Sequence, residues 1–151
     1  MGFDSETAFE SALIKCLVEE KGWKDGVIKY PTEKDLLDNW AKIIFENNRD
    51  IDRLGDFPMT DGEMAQIMGQ IAKLRTPLNL NGFINGGTVQ IIRDNENDTH
   101  NFKKTISLKI FDRNEIAAGR TRYQIAQQPK FKAKNSIYPN RRGDFCLLIN
   151  G

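Results

Sequence analysis

A chain of 151 residues, 39% hydrophobic and 28% charged, falls in the size and composition range of one soluble globular domain with room for a sizeable core. No apolar run approaches the roughly 20 residues of a membrane helix. The opening Met1-Gly2-Phe3-Asp4-Ser5-Glu6 lacks the basic flank and apolar stretch of a signal peptide, so a cytoplasmic protein is expected. The net charge of +1 conceals a split: residues 1–102 carry 11 basic and 18 acidic side chains, whereas residues 103–142 carry 11 basic and two acidic ones.

The periodicity predicts three helices in the first half. The first is capped by Asp4 or Ser5, repeats Phe9, Ala12, Leu13, Cys16 and Leu17 at helical spacing, and stops at Gly22. Thr32 opens a second, with Asp35 three residues on as a variant of the capping box and Leu36, Leu37, Trp40, Ile43 and Ile44 on its apolar face. A full capping-box pattern, Thr60-Asp61-Gly62-Glu63, opens the third. Met64, Ile67, Met68, Ile71 and Leu74 form its core face, and Pro77 is expected to end it.

The character changes after Asn81. Asn85-Gly86-Gly87 reads as a turn, 88–92 and 105–111 as strands joined by a polar loop over 93–101, and 122–126 as a weaker strand. Phe145-Cys146-Leu147-Leu148-Ile149 is apolar at every position, the pattern of a central strand covered on both faces. Asn150-Gly151 then forms the strongest short hairpin signal, since both central residues of a type I′ turn need positive φ. A returning strand is expected, so the parent protein is read as continuing past residue 151. The expected fold class is α+β: N-terminal helices (5–76) packed on a mixed β-sheet (83–151) in a single domain.

Few positions can carry chemistry. His100, the single histidine, lies in the polar loop without a second His or Cys nearby and reads as a surface residue. No GxxxxGK[ST] phosphate loop is present. Cys16 and Cys146 sit among leucines and read as reduced core thiols. The basic stretch, interleaved with Tyr123, Phe131 and Tyr138, suits either a nucleic-acid surface or a set of solvated strand faces. Asp144 opens the apolar strand directly after Asn140-Arg141-Arg142-Gly143. There it is placed to hold a hard cation beside a phosphodiester, or it simply starts a strand after a turn. Glu6 falls inside the apolar arc of the first helix, about 60° from Phe9 where Leu13 lies at about 40° and Leu17 at about 80°, while Glu10 falls at its edge. A first-turn acid also suits the helix dipole.

These blocks carry a family resemblance. The opening helix Ser5 to Ile14, the pair Gly22-Trp23, the segment Tyr123-Gln124-Ile125-Ala126-Gln127-Gln128 and the block Asn140 to Gly151 together resemble the N-terminal nuclease domain of the R (restriction) subunits of type I restriction–modification enzymes. The likeness covers both ends of the chain, and residues 30–80 share general character alone. Where the family usually has one aromatic residue before its Asp, this chain has Arg142-Gly143.

The resemblance implies a PD-(D/E)xK restriction-endonuclease-like fold, incomplete here because the strand bearing Glu-x-Lys would follow the Asn-Gly turn. It implies that Asp144 is a catalytic Mg²⁺ ligand and Glu6 an accessory one. Arg141, Arg142, Lys130, Lys132 and Lys134 are then expected to follow the backbone of double-stranded DNA. The implied parent is a type I site-specific deoxyribonuclease cutting unmodified foreign DNA in a complex with methylation and specificity subunits. Its ATP would be used by motor domains outside these 151 residues, and the 151 residues alone would be inactive. Two other readings stay open: a nuclease-like docking domain without catalysis, and a plain nucleic-acid-binding α+β module.

Overall fold

The computed structural model describes residues 5–23, 26–111, 123–127, 130–131, 141–142 and 145–149. The fold is α+β, with helices α1 (Glu6–Glu19), α2 (Glu33–Asn47), α3 (Asp61–Ile71) and α4 (Pro77–Ile84). The strands are β1 (Val27–Lys29), β2 (Thr88–Ile92), β3 (Thr105–Lys109), β4 (Tyr123–Gln127), β5 (Lys130–Phe131), β6 (Arg141–Arg142) and β7 (Phe145–Ile149). Contacts divide the chain into two compact units. One joins Met1–Leu36 to Arg122–Ile149, and the other is formed by Leu37–Thr121 between them.

In the first unit, Ser5 caps α1 from an extended backbone, its hydroxyl accepting from the Ala8 N–H at 3.1 Å. The helix ends at Glu19, and the chain turns through Gly22 at φ +77 so that the Trp23 N–H reaches the Leu17 carbonyl at 3.0 Å. β1 pairs in parallel with β4 (Val27↔Ile125), and β4 pairs antiparallel with β7 (Ile125↔Leu147), which makes a mixed three-stranded sheet of order β1-β4-β7. A parallel pair needs a long crossover. Here the crossover from β1 to β4 includes the whole of Leu37–Thr121.

The centre of this sheet differs from expectation. Among the described residues the middle strand is β4, with Ile125 and Ala126 fully buried, and β7 has β4 as its one neighbour. Leu147 and Ile149 are 46% and 47% exposed, while Leu148, on the opposite face, is half-buried. An apolar run shows that neither face repels a cover, but whether both are covered depends on what packs there.

The second unit is built on the β2–β3 hairpin, in register from Thr88↔Lys109 to Ile92↔Thr105. β2 alternates strictly, so Val89 and Ile91 are buried while Thr88, Gln90 and Ile92 are exposed. Val89, Ile91, Ile106, Leu108 and Ile110 form one core with Ile44 of α2, Leu54, and Met64 and Ile67 of α3. Met64 is in the core as the sequence predicts, but Met68 is 43% exposed because the helix turns it off the sheet.

Helix ends follow their local chemistry. Thr32 and Asp35 cap α2 reciprocally, with the Thr32 N–H donating to Asp35 at 2.8 Å and the Asp35 N–H to the Thr32 hydroxyl at 3.2 Å. The bond from the Thr32 N–H, and then that from its hydroxyl, hold the Asp35 carboxyl below its ordinary pKa. The cap is therefore in place above the usual carboxylate range and is lost as acid protonates Asp35. Thr60 and Glu63 form a complete capping box on α3. Pro77 does not end that helix. α3 stops at Ile71, and Pro77 occupies the first turn of α4 behind the Thr76 cap, where a missing N–H costs nothing. α4 therefore extends the helical part past Asn81, to Ile84. Phe83 anchors it edge-to-face on Phe111, with ring centroids 5.6 Å apart. Gly87 follows close under Phe83, where a Cβ would collide with the Phe83 ring and carbonyl oxygen.

Asn48, fully buried just past α2, ties that helix to β3. Its amide nitrogen donates to the carbonyls of Ile44 and Lys109 at 2.8 and 2.9 Å, and its oxygen accepts from the Lys109 N–H at 2.8 Å and from Arg53 at 3.1 Å. Asn48→Ala removes these bonds from a buried position and is expected to cost about 1–3 kcal/mol. Urea denaturation of the variant should show a lowered midpoint with an unchanged slope.

Candidate functional site

The residues singled out from the sequence are distributed unevenly. Asp144, Lys132 and Lys134 lie outside the described residues. Asp144 immediately precedes β7 in the chain, and Lys130, Arg141 and Arg142 fall in the β5–β6 ladder, whose register sets Lys130 across from Arg142 and Phe131 across from Arg141. The backbone thus brings three of the five expected DNA-binding residues into one two-stranded pairing.

Glu6 does not lie on a buried face. It is exposed in the first turn of α1, and the buried acid of that helix is Glu10, 4% exposed. The half-buried positions Leu13, Ile14, Leu17 and Val18 place the inward face about one residue's rotation beyond that predicted, and Phe9 is 46% exposed. The predicted arc is measured from Phe9 as an inward residue, and with Phe9 on the outer side the inward face is shifted away from it. Glu10 stood at the edge of the predicted arc, so only the phase of the face was missed.

Cys16 is half-buried and its thiol points at Glu20, 3.5 Å away. Desolvation, followed by the neighbouring carboxylate, raises its pKa, which favours the inert thiol form. His100 is exposed, in agreement with its reading as a surface loop residue.

The densest group of charges was not foreseen. Arg93, expected in a polar loop, is fully buried beside Glu63 and Asp98, which are 0% and 2% exposed. Its Nε donates to Asp98 at 2.9 Å, its Nη1 to both Glu63 oxygens at 2.9 and 2.8 Å and to the Pro58 carbonyl, and its Nη2 to the carbonyls of Phe57 and Leu54. Glu63 also accepts from the Thr60 and Asp94 amides at 3.1 and 3.0 Å. Asp98 accepts from the Asn101 N–H, and Asn101 in turn donates to the carbonyls of Ile51 and Arg53.

A guanidinium bonded in this way has no donor left for a substrate, and both carboxylates are sealed from solvent. The cluster is scaffold, joining the end of β2 to the start of α3 and the 51–58 segment. The one signal in the sequence was the capping-box acid Glu63, which has to face its own helix start and so cannot point to solvent.

No group of three or more His, Cys, Asp or Glu side chains gathers as a metal site among the described residues. No helix among them is long and apolar enough to cross a membrane. No family model, curated protein or solved structure matches the chain.

Proposed function

We propose that this chain is the N-terminal part of the nuclease domain of a type I restriction enzyme's R subunit. The whole subunit would be a Mg²⁺-dependent endonuclease that makes double-strand breaks in unmodified foreign DNA. ATP-driven translocation would be supplied by other domains of the same polypeptide, and methylation and specificity subunits would complete the assembly. The observation that carries this reading is the place of β7. The strand that directly follows Asp144 lies in a mixed sheet, antiparallel to β4 and with one described neighbour, so a further strand can pair beside it. In the PD-(D/E)xK plan that this chain resembles, the next strand bears Glu-x-Lys.

The concentration of basic residues over 103–142 gives separate support for a polyanionic partner.

The donor chemistry fits a hard cation. Mg²⁺ takes carboxylate oxygens, commonly one or two from the protein with waters completing its shell. Asp144 would hold it, and the exposed carboxylate of Glu6 is accessible as an accessory ligand. When bound, the ion polarises the phosphodiester and lowers the pKa of a bound water. The basic residues hold the DNA backbone in place and carry no sequence information, which fits recognition by a separate subunit.

Reading the parent gene through the next 20 or so codons, about one strand and its flanks, tests the assignment. An apolar strand bearing Glu-x-Lys directly after Asn150-Gly151 is the expected result. A strand without those two side chains assigns the chain to a docking or DNA-binding module instead.

A further inference from the structure

The outer edge of β2 is occupied by side chains. In the hairpin, the Gly87 carbonyl accepts from Ile110 and the Arg93 amide donates to Lys104, so the odd-numbered residues of β2 bond inward to β3. By the period of two, the backbone groups of Thr88, Gln90 and Ile92 point the other way. Two of these three positions are bonded by glutamines of α3. The Gln70 amide nitrogen donates to the Gln90 carbonyl at 2.5 Å, and its oxygen accepts from the Gln90 N–H at 3.3 Å. Gln66 does the same at Ile92, donating to its carbonyl at 3.1 Å and accepting from its N–H at 2.8 Å.

The match is geometric. Residues four apart on a helix rise about 6.0 Å, and residues two apart on a strand about 6.8 Å. Glutamines at i and i+4 therefore meet strand residues at j and j−2, each amide presenting one donor and one acceptor as a neighbouring strand would.

We infer that Gln66 and Gln70 act as a side-chain strand that closes the outer edge of β2 against pairing with a second copy of the chain. The edge needs such a closure. Thr88-Val89-Gln90-Ile91-Ile92 has no charge, proline or glycine, and it alternates cleanly; these are the properties of a strand that recruits another. Ile92 is 55% exposed on the outer face, so a docked strand would also cover apolar surface. A two-fold antiparallel pairing centred on Gln90 would set Gln90 opposite Gln90 and Thr88 opposite Ile92, using the same amides that the glutamines now hold.

The test compares the oligomeric state of the wild-type chain with that of Gln66→Ala/Gln70→Ala by sedimentation velocity across a concentration series. The double variant is expected to self-associate at least about tenfold more tightly, the scale of one net hydrogen bond. Adding Gln90→Lys, which places like charges opposite each other in the pairing, is expected to return it to wild-type behaviour. An Ala variant that is folded by circular dichroism but has the wild-type oligomeric state overturns the inference, as does association that survives Gln90→Lys. Should the double variant not fold, Gln70→Ala, which opens the Gln90 position alone, is read by the same criteria.

Discussion

On the function proposed above, Asp144→Ala in the intact restriction subunit, assembled with its partners, is expected to abolish Mg²⁺-dependent DNA cleavage while leaving DNA-dependent ATP hydrolysis in place. Asp144 directly precedes β7 in the chain, and β7 pairs along its whole length with β4, from Tyr123↔Ile149 to Gln127↔Phe145. Groups that merely orient a metal ligand are worth roughly 10- to 100-fold, so losing a ligand itself should exceed about 100-fold. The variant is read by plasmid linearisation and phosphate release from the same preparation. Cleavage at the wild-type rate would remove Asp144 from the chemistry and leave the DNA-binding or docking reading. Loss of both activities would indicate that the variant disturbs more than a metal site.

Arg93→Ala should produce the largest loss of stability in the chain, about 3–5 kcal/mol, because it leaves Glu63 and Asp98 buried without their counter-charge. A domain typically has about 5–15 kcal/mol in total. The side chains of Arg93 and Glu63 are 0% exposed and that of Asp98 is 3% exposed, so water does not screen the loss. The carbonyls of Leu54, Phe57 and Pro58 lose their donor as well. Arg93→Lys keeps the charge but not the planar fork that reaches both acids and three carbonyls, and it should recover only part of the loss. Urea midpoints for the two variants check the order. A midpoint for Arg93→Ala within error of the wild type would show that the cluster does not hold the second unit together.

Local signals in the sequence were sufficient wherever a few adjacent residues decide the outcome. Ser5, the Thr32–Asp35 pair and the Thr60–Glu63 box start their helices as read, because a cap is a bond between residues three apart. The β2 strand runs over the residues that its alternation predicts, and β3, β4 and β7 fall within a residue or two of their predicted spans. Pro77 was misread because proline is compatible with both the end of one helix and the start of the next, and only the Thr76 cap decides between them.

Tertiary structure decided the rest. Composition and spacing by themselves determined the α+β class, the helix starts, most strand positions and the concentration of basic residues after residue 102. They did not determine that 37–121 forms its own unit between β1 and β4, since a three-residue strand such as β1 is defined by a partner almost a hundred residues away. Nor did they determine which charges are interior. Arg93 and Asp98 read as loop residues until the carbonyls of 54–58 and the acid of α3 converge on them, and no spacing in the sequence sets Gln66 and Gln70 against the edge of β2. Burial and edge closure depend on what arrives from elsewhere in the chain, and no local window records that arrival.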